Sequence, residues 1–245
     1  MRRAARIRAV LFDLGGTLVD ERDFPGWVDL ARRVYLDLDA DTLAHFYAEV
    51  ERELDADPLG LDRQELMVEF WRRVLSRASG KAVDAAAADR FRGLLHESEP
   101  PIQLYSDVRR CLDQLKSERR SLGVISNSSS EAAVRRILDR VGILPYFGRV
   151  VSSGTEGVAK PNPEIFRRAV DRLGVGPSEA LFVGNLLVTD ARGAASAGLH
   201  AAWLNREGME QGDDPPEIMS LLEVPLVVAR LERPGATAGA APPRS

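Results

Sequence analysis

Four separated stretches of this chain carry side chains that could perform group transfer. Asp13 precedes Gly15, Gly16 and Thr17, which puts a carboxylate at the mouth of a turn loose enough for a ligand to approach the main chain, a setting that suits a nucleophile or a metal ligand. Ser126 and Asn127 offer a hydroxyl and an amide that can donate to an anion. Lys160 stands in GVAKPNPEIF, where Pro161 and Pro163 fix the chain and Pro163-Glu164 opens a helix, so a positive charge sits at its start. Gly184-Asn185 leads to Asp190 and Gly193, an acidic junction. A nucleophilic Asp, a hydroxyl, a Lys and an acidic corner are what transfer through a covalent aspartyl intermediate requires. DLGGT alone is a weak signal, because Asp before Gly-Gly is also a common turn. The four stretches in this order are far more specific.

These side chains need elements to hold them. Short apolar runs at Ala9 to Phe12, Leu122 to Ile125, Arg149 to Ser152, Ala180 to Val183, Ala201 to Leu204 and Leu226 to Ala229 read as strands buried on both faces. Helical stretches lie between them at Ser106 to Glu118, Ser129 to Val141, Pro163 to Leu173 and Thr189 to Ala197. The alternation predicts an α/β fold, a Rossmann-like parallel sheet with helices on both faces. Asp13, Ser126 and Gly184 then fall at strand carboxyl ends, where open sheets of this class bind ligands. From about Phe24 to about Glu97 only helical periodicity is found, as in Trp27, Leu30, Ala31 and Val34. The expected division is a core of residues 1–22 and 98–232, an inserted all-helical domain over 23–97 that ends before Pro100-Pro101, and a disordered tail over 233–245. Gly212-Asp213-Asp214 with Pro215-Pro216 reads as a loop and a helix start.

Together the stretches resemble the four motifs of the haloacid dehalogenase-like hydrolase superfamily, as FDLGGTLVD at Phe12 to Asp20, VISNS at Val124 to Ser128, GVAKPNPEIF at Gly157 to Phe166 and VGNLLVTDARGAASAG at Val183 to Gly198. The resemblance implies that Asp13 is the nucleophile, that Ser126, with Asn127 beside it, orients the transferred group, and that Lys160 neutralises both. It implies further that Gly16 and Thr17 bind substrate, that Asp13, Gly15, Asn185 and Asp190 hold Mg²⁺, and that the helical insertion is a mobile cap that selects a small phosphorylated substrate. Two positions depart from the phosphatase pattern. The second residue after the nucleophile, usually the Asp that protonates the leaving group and activates water, is Gly15. Such a group contributes roughly 10² to 10⁴ in rate, so slow chemistry on poor leaving groups is expected. Asn185 replaces a usual Asp ligand with one neutral oxygen, so metal affinity should be weaker than usual. Three readings follow: a Mg²⁺-dependent phosphatase or phosphotransferase for substrates with good leaving groups, a metal-independent dehalogenase, and a binding module that has lost turnover.

Composition removes other classes. Lys and Arg total 33 against 37 Asp and Glu, a net charge of -4, with the Arg pairs scattered among acids, which does not suggest a nucleic-acid partner. The apolar runs are far short of the roughly 18 to 20 residues of a membrane span. The basic then apolar start breaks at Asp13, too soon for a signal peptide. A single Cys111 forms no intrachain disulfide and no thiolate cluster, and a cytoplasmic setting is the default. His45, His96 and His200 lack metal-ligand spacing and read as surface or packing residues.

Overall fold

The computed structural model describes residues 6–57, 59–98, 101–206, 208 and 215–233. The expected tail from 234 onward, Pro100 and the Gly212-Asp213-Asp214 loop lie outside these residues. Contacts divide the chain into two compact units, Met1–Asp20 with Ile102–Ser245, and Glu21–Pro101.

The first unit begins with β1 (Ala9–Phe12) and β2 (Val19–Asp20). The helical unit follows with α1 (Phe24–Arg32), α2 (Ala40–Ala56), α3 (Arg63–Ser79) and α4 (Ala85–Glu97). The first unit then resumes with β3 (Gln103–Leu104), α5 (Val108–Ser117), β4 (Ser121–Ser126), α6 (Glu131–Arg140), β5 (Arg149–Ser152), α7 (Ser153–Glu156), α8 (Pro163–Leu173) and β6 (Ala180–Gly184). A π-helical turn (Leu187–Arg192), α9 (Gly193–Ser196), β7 (His200–Leu204), β8 (Glu217–Ile218) and α10 (Val224–Leu231) complete it.

The sheet is six-stranded and parallel in the order β5-β4-β1-β6-β7-β8, and β2 and β3 form a separate antiparallel pair. Alternation along each strand builds two cores. Val10, Phe12, Leu122, Val124, Leu181 and Val183 pack on one face with Leu112, Leu115, Val134 and Val228 from α5, α6 and α10. Ala9, Leu11, Ile125, Phe182 and Trp203 pack on the other with Ile165, Phe166 and Ala194 from α8 and α9. Helices on both faces are the α/β architecture the alternation predicts. Phe12 is paired with Val124 on one side and Val183 on the other, so β1, β4 and β6 end within two residues of one another at the same edge. The connections leave β1 in opposite directions, which makes its carboxyl end the switch point of the sheet.

The helical unit is set by its Asp residues. Asp23, Asp39, Asp62 and Asp84 each accept a backbone N–H at the start of their helix, Asp62 in a reciprocal box with Glu65. Its core joins Trp27, Leu43, Val50, Phe70, Trp71, Val74 and Phe91, and Trp71 meets Trp27 and Phe91 edge to face at 5.3 and 5.0 Å. Among its described residues there is no strand.

One expected strand is a helix. Leu226 to Ala229 lies within α10, where Pro225 sits in the first turn and Ser220 with Glu223 caps the preceding 3-10 turn. A four-residue apolar run does not distinguish strand from buried helix, and here the stop and start chemistry decides. The sixth strand is instead β8, whose Glu-Ile pair carries no apolar run. The helix expected over Thr189 to Ala197 begins as the π turn at Leu187.

Candidate active site

At the carboxyl edge of the sheet Lys160 is the hub. Its Nζ donates to Asp13 Oδ1 and to Asp190 Oδ1, each at 2.6 Å. The Lys160 side chain is 2% exposed and that of Asp190 is fully buried, whereas Asp13 keeps 11% of its side chain open. Asp13 is therefore the member that a ligand can reach. Burial, opposed by Lys160 and reinforced by the charge of Asp190, pushes the Asp13 carboxyl up to about 6. Burial works against the Lys160 ammonium as well, but the two carboxylates outweigh it and raise its pKa. Phe182 closes the other side, its ring 5.5 Å from Nζ.

Each residue is held by its own element. The Asp13 N–H donates to Val183 O at 2.9 Å, continuing the pairing of β1 with β6. Lys160 is fixed from β4: Asn127 Nδ2 donates to Lys160 O at 3.0 Å and Lys160 N donates to Asn127 Oδ1 at 2.9 Å. The Asn127 side chain is thus engaged on the Lys160 backbone. Ser126 closes β4 and is buried. Asp190 comes from the π turn and accepts Leu186 N–H at 3.1 Å on its second oxygen. A Cβ on Gly184 would lie 2.4 Å from Asp190 Cγ, so the carboxylate approaches this strand only because Gly184 has no side chain.

The loop after Asp13 turns at Gly16, which takes φ +74° and whose N–H donates to Val19 O at 2.8 Å. Thr17 is buried and its hydroxyl donates to Asn185 Oδ1 at 3.2 Å. Trp203 Nε1 donates to Asn185 O at 2.9 Å. A Cβ on Gly16 would meet Asn185 Nδ2 at 2.5 Å, so the amide packs against the loop only because Gly16 has no side chain. Direct hydrogen bonds thus join Asp13, Asp190 and Asn127 to Lys160, and Thr17 to Asn185. Gly15 is half-buried between Asp13 and this turn. Phe182 and Trp203 were not singled out from sequence as site residues, although both lie at or near strand carboxyl ends, where such residues can be sought.

Among the described residues no group of three His, Cys, Asp or Glu could hold a metal. Asp13 and Asp190 supply two carboxylates, each with one oxygen on Lys160, and the Asn185 oxygen accepts from Thr17. That donor set fits a cation such as Mg²⁺, which is usually bound by one or two carboxylates together with substrate phosphate, better than one needing a protein cage.

The sequence model of the haloacid dehalogenase-like hydrolases matches residues 7–198. This chain belongs to that family. As a haloacid dehalogenase-like hydrolase it is 26% identical to the N-acylneuraminate-9-phosphatase of Homo sapiens, over 93% of this chain and 96% of that protein. It is 32% identical to the glyceraldehyde 3-phosphate phosphatase of Methanopyrus kandleri, over 86% and 91%. Among solved structures it is similar to a 2-haloacid dehalogenase from Pseudomonas syringae, with 29% identity, TM-score 0.59 and coverage of 91% and 99%. A HAD hydrolase from Bacillus subtilis bound to magnesium shares the fold at TM-score 0.69 and 24% identity, covering 91% and 99%. No described helix is long and apolar enough to cross a membrane.

Proposed function

We propose that this hydrolase is a phosphatase or phosphotransferase for a small phosphorylated metabolite, working through an aspartyl-phosphate at Asp13. The observation that carries the reading is the Lys160 ammonium, buried and bonded at 2.6 Å to both Asp13 and Asp190, with Asp13 the more open carboxylate. Attack by an Asp13 oxygen on phosphorus forms an O–P bond, and the bond from phosphorus to the leaving group breaks with its electron pair. Lys160 holds the nucleophile in its charged form and offsets charge on the transferred group. The Ser126 hydroxyl donates to a phosphoryl oxygen, and Asn127 fixes the Lys160 backbone. Gly16 and Thr17 set the loop beneath the substrate. Asp13, the Gly15 carbonyl, Asn185 and Asp190 would hold Mg²⁺, which would neutralise phosphoryl charge.

Gly15 has no proton to give. Leaving groups that depart as stable anions, such as acyl, anhydride or anomeric phosphates, are therefore favoured, and water or a second substrate completes turnover by taking the phosphoryl group from Asp13. Relatives named for phosphorylated metabolites support this class. The helical unit over 23–97 is proposed to select the substrate as a cap, and a cytoplasmic setting suits the single unpaired Cys111.

The test is phosphate release from acetyl phosphate and from an aryl phosphate, with Mg²⁺ and with chelator, for wild type and Asp13→Asn. Release that needs Mg²⁺ and vanishes in the variant supports the reading; none above the variant removes it and leaves a binding module. A second reading rests on Gly15 together with the likeness to a 2-haloacid dehalogenase, because expelling halide needs neither acid nor metal. Chelator-insensitive halide release from a 2-haloacid would establish it instead.

A further inference from the structure

A second polar cluster meets the loop after Asp13 at the Thr17 carbonyl. Arg206, just beyond β7, donates from Nη1 to Asp107 Oδ2 at 2.8 Å and from Nη2 to Asp107 Oδ1 at 3.0 Å. The same Nη2 donates to the backbone carbonyl of Thr17 at 2.9 Å. Its guanidinium lies 4.0 Å from the centre of the Tyr105 ring, and its side chain is 20% exposed. Asp107 precedes α5 and is itself fixed by Ser220 Oγ and Leu221 N–H, each at 2.9 Å. These donors, led by Arg206 among the side chains, overcome burial and lower the Asp107 pKa. The guanidinium is thus clamped from two sides, and its Nη2 also meets the carbonyl of Thr17, whose hydroxyl reaches Asn185.

We propose that Arg206, held by Asp107 and Tyr105, is a positioning residue that fixes the loop from Leu14 to Val19 and through it the orientation of Asp13. The geometry favours an Arg. A planar fork can satisfy a carboxylate with two parallel N–H groups and still present one to a carbonyl, whereas the point charge of a Lys cannot. The loop has its own bonds, Gly16 N to Val19 O and both Leu18 N and Val19 N to Leu14 O. None of these three fixes it against its surroundings; the Thr17 contacts do, alongside Tyr105 N–H to Leu18 O at 3.2 Å and the pairing of Val19 with Leu104. A loop that drifts carries the nucleophile out of line, and a displacement of about 1 Å can cost on the order of 10²-fold in rate.

The inference rests on the reading of Asp13 as nucleophile, and its test separates the two. Arg206→Met and Arg206→Lys are compared with Arg120→Met. Arg120 bonds the Ile7 carbonyl and the Glu232 carboxylate in the same manner, but at the amino end of β1. Turnover of an aryl phosphate with Mg²⁺, thermal midpoint and amide hydrogen exchange are measured on each. Arg206→Met should lower kcat by roughly tenfold to a hundredfold with KM within about threefold. It should also quicken exchange at Gly16, Leu18 and Val19, and Arg206→Lys should do both to a smaller degree. Arg120→Met should lower the midpoint while leaving kcat and loop exchange as in wild type. Wild-type kcat and loop exchange in the Arg206 variants would overturn the proposal, and Arg206→Lys decides alone if the Met variant does not fold. A wild type that releases no phosphate would refute the reading of Asp13, and loop exchange would then decide whether Arg206 holds the loop.

Discussion

Replacing Lys160 by Met should expose the electrostatics on which the site is built. Met fills similar space but leaves Asp13 and Asp190 facing each other without the ammonium that bonds each at 2.6 Å. Removing one partner of a buried ion pair costs about 3 to 5 kcal/mol, a large part of the roughly 5 to 15 kcal/mol that holds a folded domain. The loss should depend on pH. Without Lys160 one carboxyl escapes the repulsion by taking a proton, and Asp13, already raised to about 6, should rise further. A carboxyl whose folded value lies above its unfolded 3.8 stabilises the fold at low pH and loses that contribution as pH rises through the folded value. The penalty of Lys160→Met should therefore be full above the new Asp13 value, shrink by up to about 1.4 kcal/mol per pH unit between that value and about 6, and level off below it, where the wild-type carboxyl is protonated too. Urea unfolding of wild type and variant at about pH 5.5 and pH 8 measures this. A loss under about 1 kcal/mol that does not change with pH would refute the assignment of Lys160 as the group that neutralises both carboxylates.

Other outcomes follow from the same geometry. Gly15→Asp should speed turnover of an ordinary monoester by up to about 10² to 10⁴, read as phosphate release, if the missing acid is what limits the wild type. Gly184→Ala should cost about 1 to 3 kcal/mol in urea unfolding and lower turnover, because its Cβ would stand 2.4 Å from Asp190 Cγ. Burial pushes the Cys111 thiol up to about 12, so the native chain should resist a thiol-disulfide reagent near neutral pH and react with it only when unfolded.

The parts of this protein legible in sequence are those where local chemistry and tertiary demand agree. β1, β5 and α8 carry their own signals: apolar runs between breakers in the first two, and Pro163 with a periodic face in the third. Asp13, Lys160 and Asp190 could be singled out because Gly or Pro stands within three residues of each, near a junction of strand and helix. What was not readable depends on distant partners. β8 is a strand only because Trp203 and Leu204 pair with it, and α10 is a helix because the capped 3-10 turn before it and Pro225 in its first turn outweigh a β-branched run. Asn127 was readable as a donor at a strand end, but its match to the Lys160 backbone was not, since that needs the turn before α8 folded beside β4. Arg206 and Asp107 lie 99 residues apart and carry no local motif.

The most direct test of the aspartyl-phosphate account is to quench the wild type in acid during turnover of acetyl phosphate with Mg²⁺ and map phosphate by mass spectrometry. With Gly15 unable to activate water, the intermediate should persist long enough to be found. The account predicts phosphate on the peptide containing Asp13, absent from Asp13→Asn. Turnover with that peptide unmodified, or phosphate on another residue, would contradict it.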